Sequence, residues 1–167
     1  MRTNRNNDGR SFEKSLEIIN GQYERQGRAT FSKVSPPVRI IGWGSTQKVI
    51  FLDNPFVDYV GCITEQGNRM AAFEAKSTGE PTLPAGGDQG LKRTQIDAMT
   101  RWRAAGAATW LLWELDGKLT FWTLDMVKVT LTTRKSLQFD NGHEVEAGKG
   151  FCFHDFLSTV RRFEKFL

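Results

Sequence analysis

Cysteine, histidine and long apolar runs are all scarce in this chain, and each scarcity closes off a class of protein. Cys62 and Cys152 are the only two cysteines in 167 residues, and they show neither disulfide-framework nor metal-finger spacing. A reducing cytoplasm is therefore the expected compartment. Two histidines leave too few ligands for Cys/His zinc chemistry. No apolar stretch approaches the ~20 residues of a membrane span, and Met1-Arg2-Thr3-Asn4-Arg5 lacks the apolar core of a signal peptide. Repeats, low-complexity tracts and domain linkers are missing as well, so residues 1–167 read as a single domain long enough for a real core. A net charge of +4 favours a polyanionic partner, a signal that is weak by itself because many ordinary proteins are equally basic.

What is present is a regular alternation of elements. Residues 1–10, polar with Arg2, Arg5 and Arg10 among asparagines, read as a mobile basic arm. Ser11 can cap a helix running to about Gln26, because Phe12, Leu16, Ile19 and Tyr23 recur at helical spacing. Ala29 to Val34 reads as a short strand ended by Pro36-Pro37. Residues 38–52 hold two β-branched runs around Gly42-Trp43-Gly44-Ser45, which predicts a hairpin with Trp43 at its tip and Arg39 and Lys48 on its flanks. A second hairpin is expected from Asp58–Thr64 and Arg69–Lys76.

Ser77 to Gly90, rich in Gly and Pro, reads as a loop long enough to be functional. Leu91 to Ala105 reads as a helix. Ala108 to Leu115 is the near-continuous apolar run of a strand buried on both faces. Asp116-Gly117 turns it back into Lys118–Leu124. After Asp125 the pattern supports one turn of helix and a polar loop, and Phe153 to Phe166 closes the chain as an amphipathic helix. The order predicts an α/β fold, a mixed sheet flanked by helices.

One constellation carries chemistry. Asp58 stands before the first strand of the second hairpin, and Glu74-Ala75-Lys76 closes the apolar run Met70-Ala71-Ala72-Phe73 on the return strand. The strand period of two sends Glu74 and Lys76 to one face and Ala75 to the other. Asp58 and Glu74 can then meet across the pair, with the Ala75 carbonyl beside them. Hard cations such as Mg²⁺ take oxygen ligands of this kind, and a lysine next to them can assist a water or balance phosphate charge. The competing reading is a surface cross-strand Glu–Lys pair of little energetic worth.

Asp58-Tyr59-Val60-Gly61, Phe73-Glu74-Ala75-Lys76, Gln95-Ile96-Asp97-Ala98-Met99 and the opening stretch from Asn4 through Ser11-Phe12-Glu13-Lys14-Ser15-Leu16 together resemble the RecU family of Holliday junction resolvases. That family belongs to the PD-(D/E)xK, restriction-endonuclease-like superfamily, with the archaeal junction resolvases as relatives. The resemblance runs in order from about residue 4 to 125. It implies Asp58 and Glu74 as metal carboxylates, Lys76 as the catalytic lysine, Glu13 as an acidic residue brought by the first helix, and Gln95 as a glutamine beside the site. Mg²⁺, with Mn²⁺ as a substitute, is the implied cofactor. The implied partner is four-way DNA, cut by a homodimer in paired symmetric nicks that leave 5′-phosphate and 3′-hydroxyl ends. Recombination-protein partners are not named by it.

The 38–52 hairpin falls where RecU proteins insert a protruding stalk, so Trp43 is read either as a contact to exposed bases or as a cover residue on its own sheet. Arg2, Arg5, Arg10, Lys92 and Arg93 are read as phosphate contacts, the last two at a helix opening. One departure stands out: RecU proteins carry threonine shortly before the metal aspartate, where this chain has Phe56-Val57. The alternatives left open are another PD-(D/E)xK nuclease of repair or restriction type, and a branched-DNA-binding module without catalysis.

Overall fold

The computed structural model describes residues 9–51, 56–87, 90–146 and 154–164. Arg2 and Arg5 lie outside these residues. Helix α1 (Gly9–Arg25) begins two residues before the expected Ser11, so Arg10 belongs to its first turn and not to an arm. Strand β1 (Ala29–Lys33) follows, then β2 (Val38–Ile41) and β3 (Lys48–Phe51). The second hairpin is β4 (Tyr59–Ile63) and β5 (Arg69–Thr78), joined through Gly67 and Asn68, both at positive φ. Next come β6 (Thr82–Pro84), α2 (Arg93–Ala104), β7 (Ala108–Leu115) and β8 (Lys118–Thr123). The chain closes with α3 (Leu124–Thr133), β9 (Ser136–Gln138), β10 (His143–Glu144) and α4 (Phe156–Phe163). No helix among the described residues is long and apolar enough to cross a membrane.

Six strands form the main sheet in the order β1-β4-β5-β7-β8-β10. Only β5 and β7 run parallel, connected through β6 and α2; the other pairs are antiparallel. α1 and α4 cover one face, where Leu16, Ile19, Tyr23, Phe156 and Val160 pack on Phe31, Phe73, Trp110 and Phe121. α2 and α3 cover the other, with Ala98, Met99 and Leu124 on Val57 and Ala72, and Val127 among Leu111, Trp113 and Trp122. The expected mixed sheet flanked by helices is what forms. Trp110 and Trp113 are both fully buried, which makes them core.

Three stretches differ from expectation. Residues 77–90 are not one loop: β5 continues to Thr78, and β6 pairs with β9 some fifty residues on, a pairing that no local pattern announces. α3 is ten residues long, not one turn, although rich in β-branched Val and Thr. Thr123 caps it by accepting from Met126 N, and burial of Leu124 and Val127 outweighs its modest propensity. α4 is shorter than the expected closing helix.

Among the described residues the β2–β3 ribbon pairs only with itself. Its register places Val38, Ile40 and Val49 on one face and Arg39, Ile41, Lys48 and Ile50 on the other, all of them exposed. Trp43 at its tip is 91% exposed, so it is not a cover residue. A two-stranded ribbon is marginal alone in water.

Gly61 sits opposite Phe31, where a Cβ would run into the Thr30 carbonyl and the Phe31 ring. Gly61→Ala therefore forces β1 away from β4, and should cost about 2 kcal/mol by overpacking, read as a lower urea midpoint.

Candidate active site

Aromatic packing sets the register on which the site depends. Tyr59 lies opposite Phe73, and Phe73 opposite Trp110. Their rings stack in a row across three strands, with centroids 4.8 Å and 5.0 Å apart and planes within 7° and 12°. A slip of one residue would turn this row out of the core. With Tyr59 held on Phe73, the next rung outward brings Asp58 beside Glu74. The Ala75 N–H donates to Asp58 Oδ2 at 3.1 Å, bracing the aspartate against the strand. A strand residue turns its N–H and its carbonyl to the same neighbour, so the Ala75 carbonyl opens toward Asp58 too.

Glu74 is fully buried. Lys76 Nζ lies 3.0 Å from its Oε1, and Gln95 Nε2 donates to the same oxygen. Its other oxygen, Oε2, has no partner among the described residues. Burial first, and the neighbouring Asp58 second, push the Glu74 pKa well above the usual carboxylate range, while Lys76 pulls it back. This is not the exposed cross-strand pair that competed as a reading. Buried polar atoms are normally satisfied. A buried carboxylate with an unsatisfied oxygen, faced by a second carboxylate, is a place that favours a cation.

The fit of a hard divalent ion follows from these groups: Asp58, the open oxygen of Glu74 and the Ala75 carbonyl are all oxygen donors. Gln95 is fixed for its task by the start of α2, since its Oε1 accepts from Lys92 N at 2.9 Å while its amide reaches Glu74. Gln95 thus links the start of α2 to the Glu74 carboxylate, beside the site as the resemblance implied.

Glu13 comes from α1, on the opposite face from Gln95, and is half-exposed with Lys33 Nζ 2.6 Å from its Oε2. Its charge acts on Tyr59. Among the described residues no group of three Asp, Glu, His or Cys side chains gathers closely enough to hold an ion, so Glu13 stands beside the Asp58–Glu74 pair without joining it. Arg10 opens α1, and Lys92 and Arg93 open α2. Arg93 is exposed, 3.9 Å from Asp97. Arg39, Trp43 and Lys48 sit on the ribbon, away from this cluster in the chain pairing.

Sequence reasoning missed Tyr59 and Lys33. The Tyr59 hydroxyl is buried without a hydrogen-bond partner among the described residues. Burial, then Glu13, Asp58 and Glu17, raise its pKa and keep it protonated. Its place next to Asp58 in sequence was visible, but not that Glu13 and Glu17 of α1 converge on it. Ser77 and Glu114 form a further brace at the same end of the sheet, at 2.6 Å.

A mixed sheet whose central strand β5 carries a buried Glu74 with Lys76 two residues on, met by Asp58 just ahead of β4, is the arrangement expected of the PD-(D/E)xK, restriction-endonuclease-like class. Within it, the chain matches the RecU family, described as recombination protein U, over residues 7–143, and it belongs to that family. It is also similar to the solved structure of Hjc, a Holliday junction resolvase from the archaeal hyperthermophile Archaeoglobus fulgidus. That likeness has 17% identity and a TM-score of 0.47, and covers 77% of this chain and 94% of that one. A search of curated proteins finds no match.

Proposed function

We propose that this chain is a Mg²⁺-dependent Holliday junction resolvase that makes paired symmetric nicks in four-way DNA. The observation that carries the reading is the buried Glu74, open at Oε2 and faced by Asp58, with Lys76 on its other oxygen, in a chain of the RecU family. Asp58, Glu74 and the Ala75 carbonyl would hold the ion, with Mn²⁺ as a substitute. When bound, it supplies a lower pKa for water and charge neutralisation on the phosphate.

The protein's own groups do the rest. Gln95 fixes the angle of Glu74, and Asp58 is held by Ala75 N–H, so neither carboxylate must reorganise. Lys76, mostly buried beside the scissile position, stabilises developing negative charge and orients the attacking water. Glu13 joins from α1 once it releases Lys33, an exchange of one half-exposed ion pair that costs little. Arg10, Lys92 and Arg93 steer phosphates to the site, as do Arg2 and Arg5 ahead of α1, with affinity that falls steeply with salt. The ribbon, with Arg39 and Lys48 on one face and Trp43 at its tip, meets the branch point. Two nicks across a branch require two sites, which a two-fold homodimer supplies directly.

A side-by-side assay on four-way, flap and linear duplex DNA with Mg²⁺ tests this. Four-way DNA should be cut well ahead of the other two. Equal cutting of all three makes the chain a general repair or restriction-type nuclease. Tight junction binding with no Mg²⁺-dependent cutting makes it a binding module.

A further inference from the structure

Phe56-Val57, the departure from the family pattern just ahead of Asp58, has no part in the catalytic set. The two side chains go opposite ways. Val57 is fully buried among Ala72, Ala98, Met99 and Leu124, which pins the backbone and turns Phe56 outward, 49% exposed. Phe56 walls an open recess of about 320 Å³ whose other walls, among the described residues, are Arg101, Trp102 and Ala105 from the end of α2. Trp102 packs against the Val57 cluster, so its ring is held in place and not free to sweep.

We propose that this recess is a stacking site for an unpaired base of the DNA strand that enters the active site, with Phe56 and Trp102 as the aromatic surfaces and Arg101 offsetting phosphate charge. The inference rests on the nuclease reading of the adjacent site. Two placements tie the recess to that site. Phe56 is two residues from Asp58. Trp102 stands seven residues after Gln95, the glutamine on Glu74, hence about two turns and ~10 Å along one helix face. A base held there lies a few nucleotides from the scissile phosphate.

The lining chemistry favours this occupant over an apolar protein surface. Among the described residues its one charged wall is an arginine, which complements a polyanion. Aromatic faces bind any base, a sequence-tolerant contact suited to a substrate recognised by shape. A fully paired duplex has no base to offer, so the contact rewards branched or opened DNA.

The test uses four-way junctions with 2-aminopurine at successive positions near the branch, bound by the full chain without divalent cation. Wild-type protein should change the fluorescence at one or two positions. Phe56→Ala should abolish that change and weaken junction binding about tenfold, with linear duplex binding unchanged. Phe56→Leu, which keeps apolar bulk without a π face, should behave like Phe56→Ala, and Phe56→Trp should restore both signals. Unchanged fluorescence and affinity in a Phe56→Ala protein of normal melting temperature overturns the proposal. So does a Phe56→Ala protein whose sedimentation mass falls to the monomer, which assigns the recess to a second copy. Wild-type protein that fails to bind junctions sinks the nuclease reading as well, whereas normal wild-type binding with an indifferent Phe56→Ala sinks the stacking site alone.

Discussion

Glu74→Gln should lower junction cleavage by about 10³-fold or more, close to or above 4 kcal/mol of transition-state stabilisation, while junction binding at moderate salt persists. The substitution keeps shape and removes charge. The Gln amide cannot supply the negative oxygen that a cation needs, and one of its two positions faces the Gln95 amide, another donor. The fold should tolerate it. Glu74 is buried and crowded by Asp58, so neutralising it relieves desolvation and repulsion even as Lys76 loses its partner. A melting temperature within a few degrees of wild type is therefore expected, and separates lost chemistry from lost structure. Binding should survive, since on the proposed reading phosphate affinity comes from the arginines and lysines, not from the carboxylate. A folded Glu74→Gln protein that nicks junctions near the wild-type rate would show that the metal carboxylates have been misassigned.

The largest expected effect on stability lies at the far end of α1. Asp155, just ahead of α4, accepts from Tyr23 Oη at 2.8 Å, from Arg28 Nη1 at 3.1 Å and from Ser158 Oγ at 2.8 Å. Arg28 also holds Glu65 at 2.6 Å, and Tyr23 Oη accepts from Leu157 N. One carboxylate thus ties α1 to α4 and, through Arg28 just ahead of β1, to the β4–β5 turn. Asp155→Ala leaves a buried tyrosine hydroxyl and a partly buried guanidinium without their shared acceptor, and should cost about 3 kcal/mol. Urea unfolding at neutral pH measures it, and a cost under ~1 kcal/mol would mean that α4 is held by its apolar face alone.

A pH signature accompanies this. Burial alone would raise the Asp155 pKa, but the hydrogen bonds from Ser158, Tyr23 and Arg28 and the Arg28 charge bring it below the ordinary value. A folded-state pKa below the unfolded ~3.9 means stability fully present above ~3.9 and lost as pH falls through the folded value. Wild-type and Asp155→Ala unfolding curves should therefore converge as pH drops from 5 toward 2. A gap that stays constant would remove Asp155 ionisation from the account.

Much of the fold was legible because it is written in local periods. The apolar stripe of α1, the β7 run and the Asp116-Gly117 turn, both residues at positive φ, each follow from short stretches of chain. The β6–β9 pairing was not legible, since three-residue strands carry no period and their partner lies far along the chain. α3 was underestimated because its Val and Thr residues argue against helix locally, and burial overrides them.

The same division runs through the site. By itself the sequence determined that Glu74 and Lys76 share a face, that Asp58 precedes the adjoining strand, and that the family is RecU, because strand alternation and motif order are properties of the chain alone. Only the tertiary structure decided that Glu74 is fully buried with one oxygen open, that Gln95 donates to it, that Lys33 pairs with Glu13, and that Phe56 and Trp102 line one recess. Periodicity says which residues of one element look the same way. Which elements they then look at is set by packing, here by the Tyr59–Phe73–Trp110 stack that locks the strands in register and by the helices laid on either face.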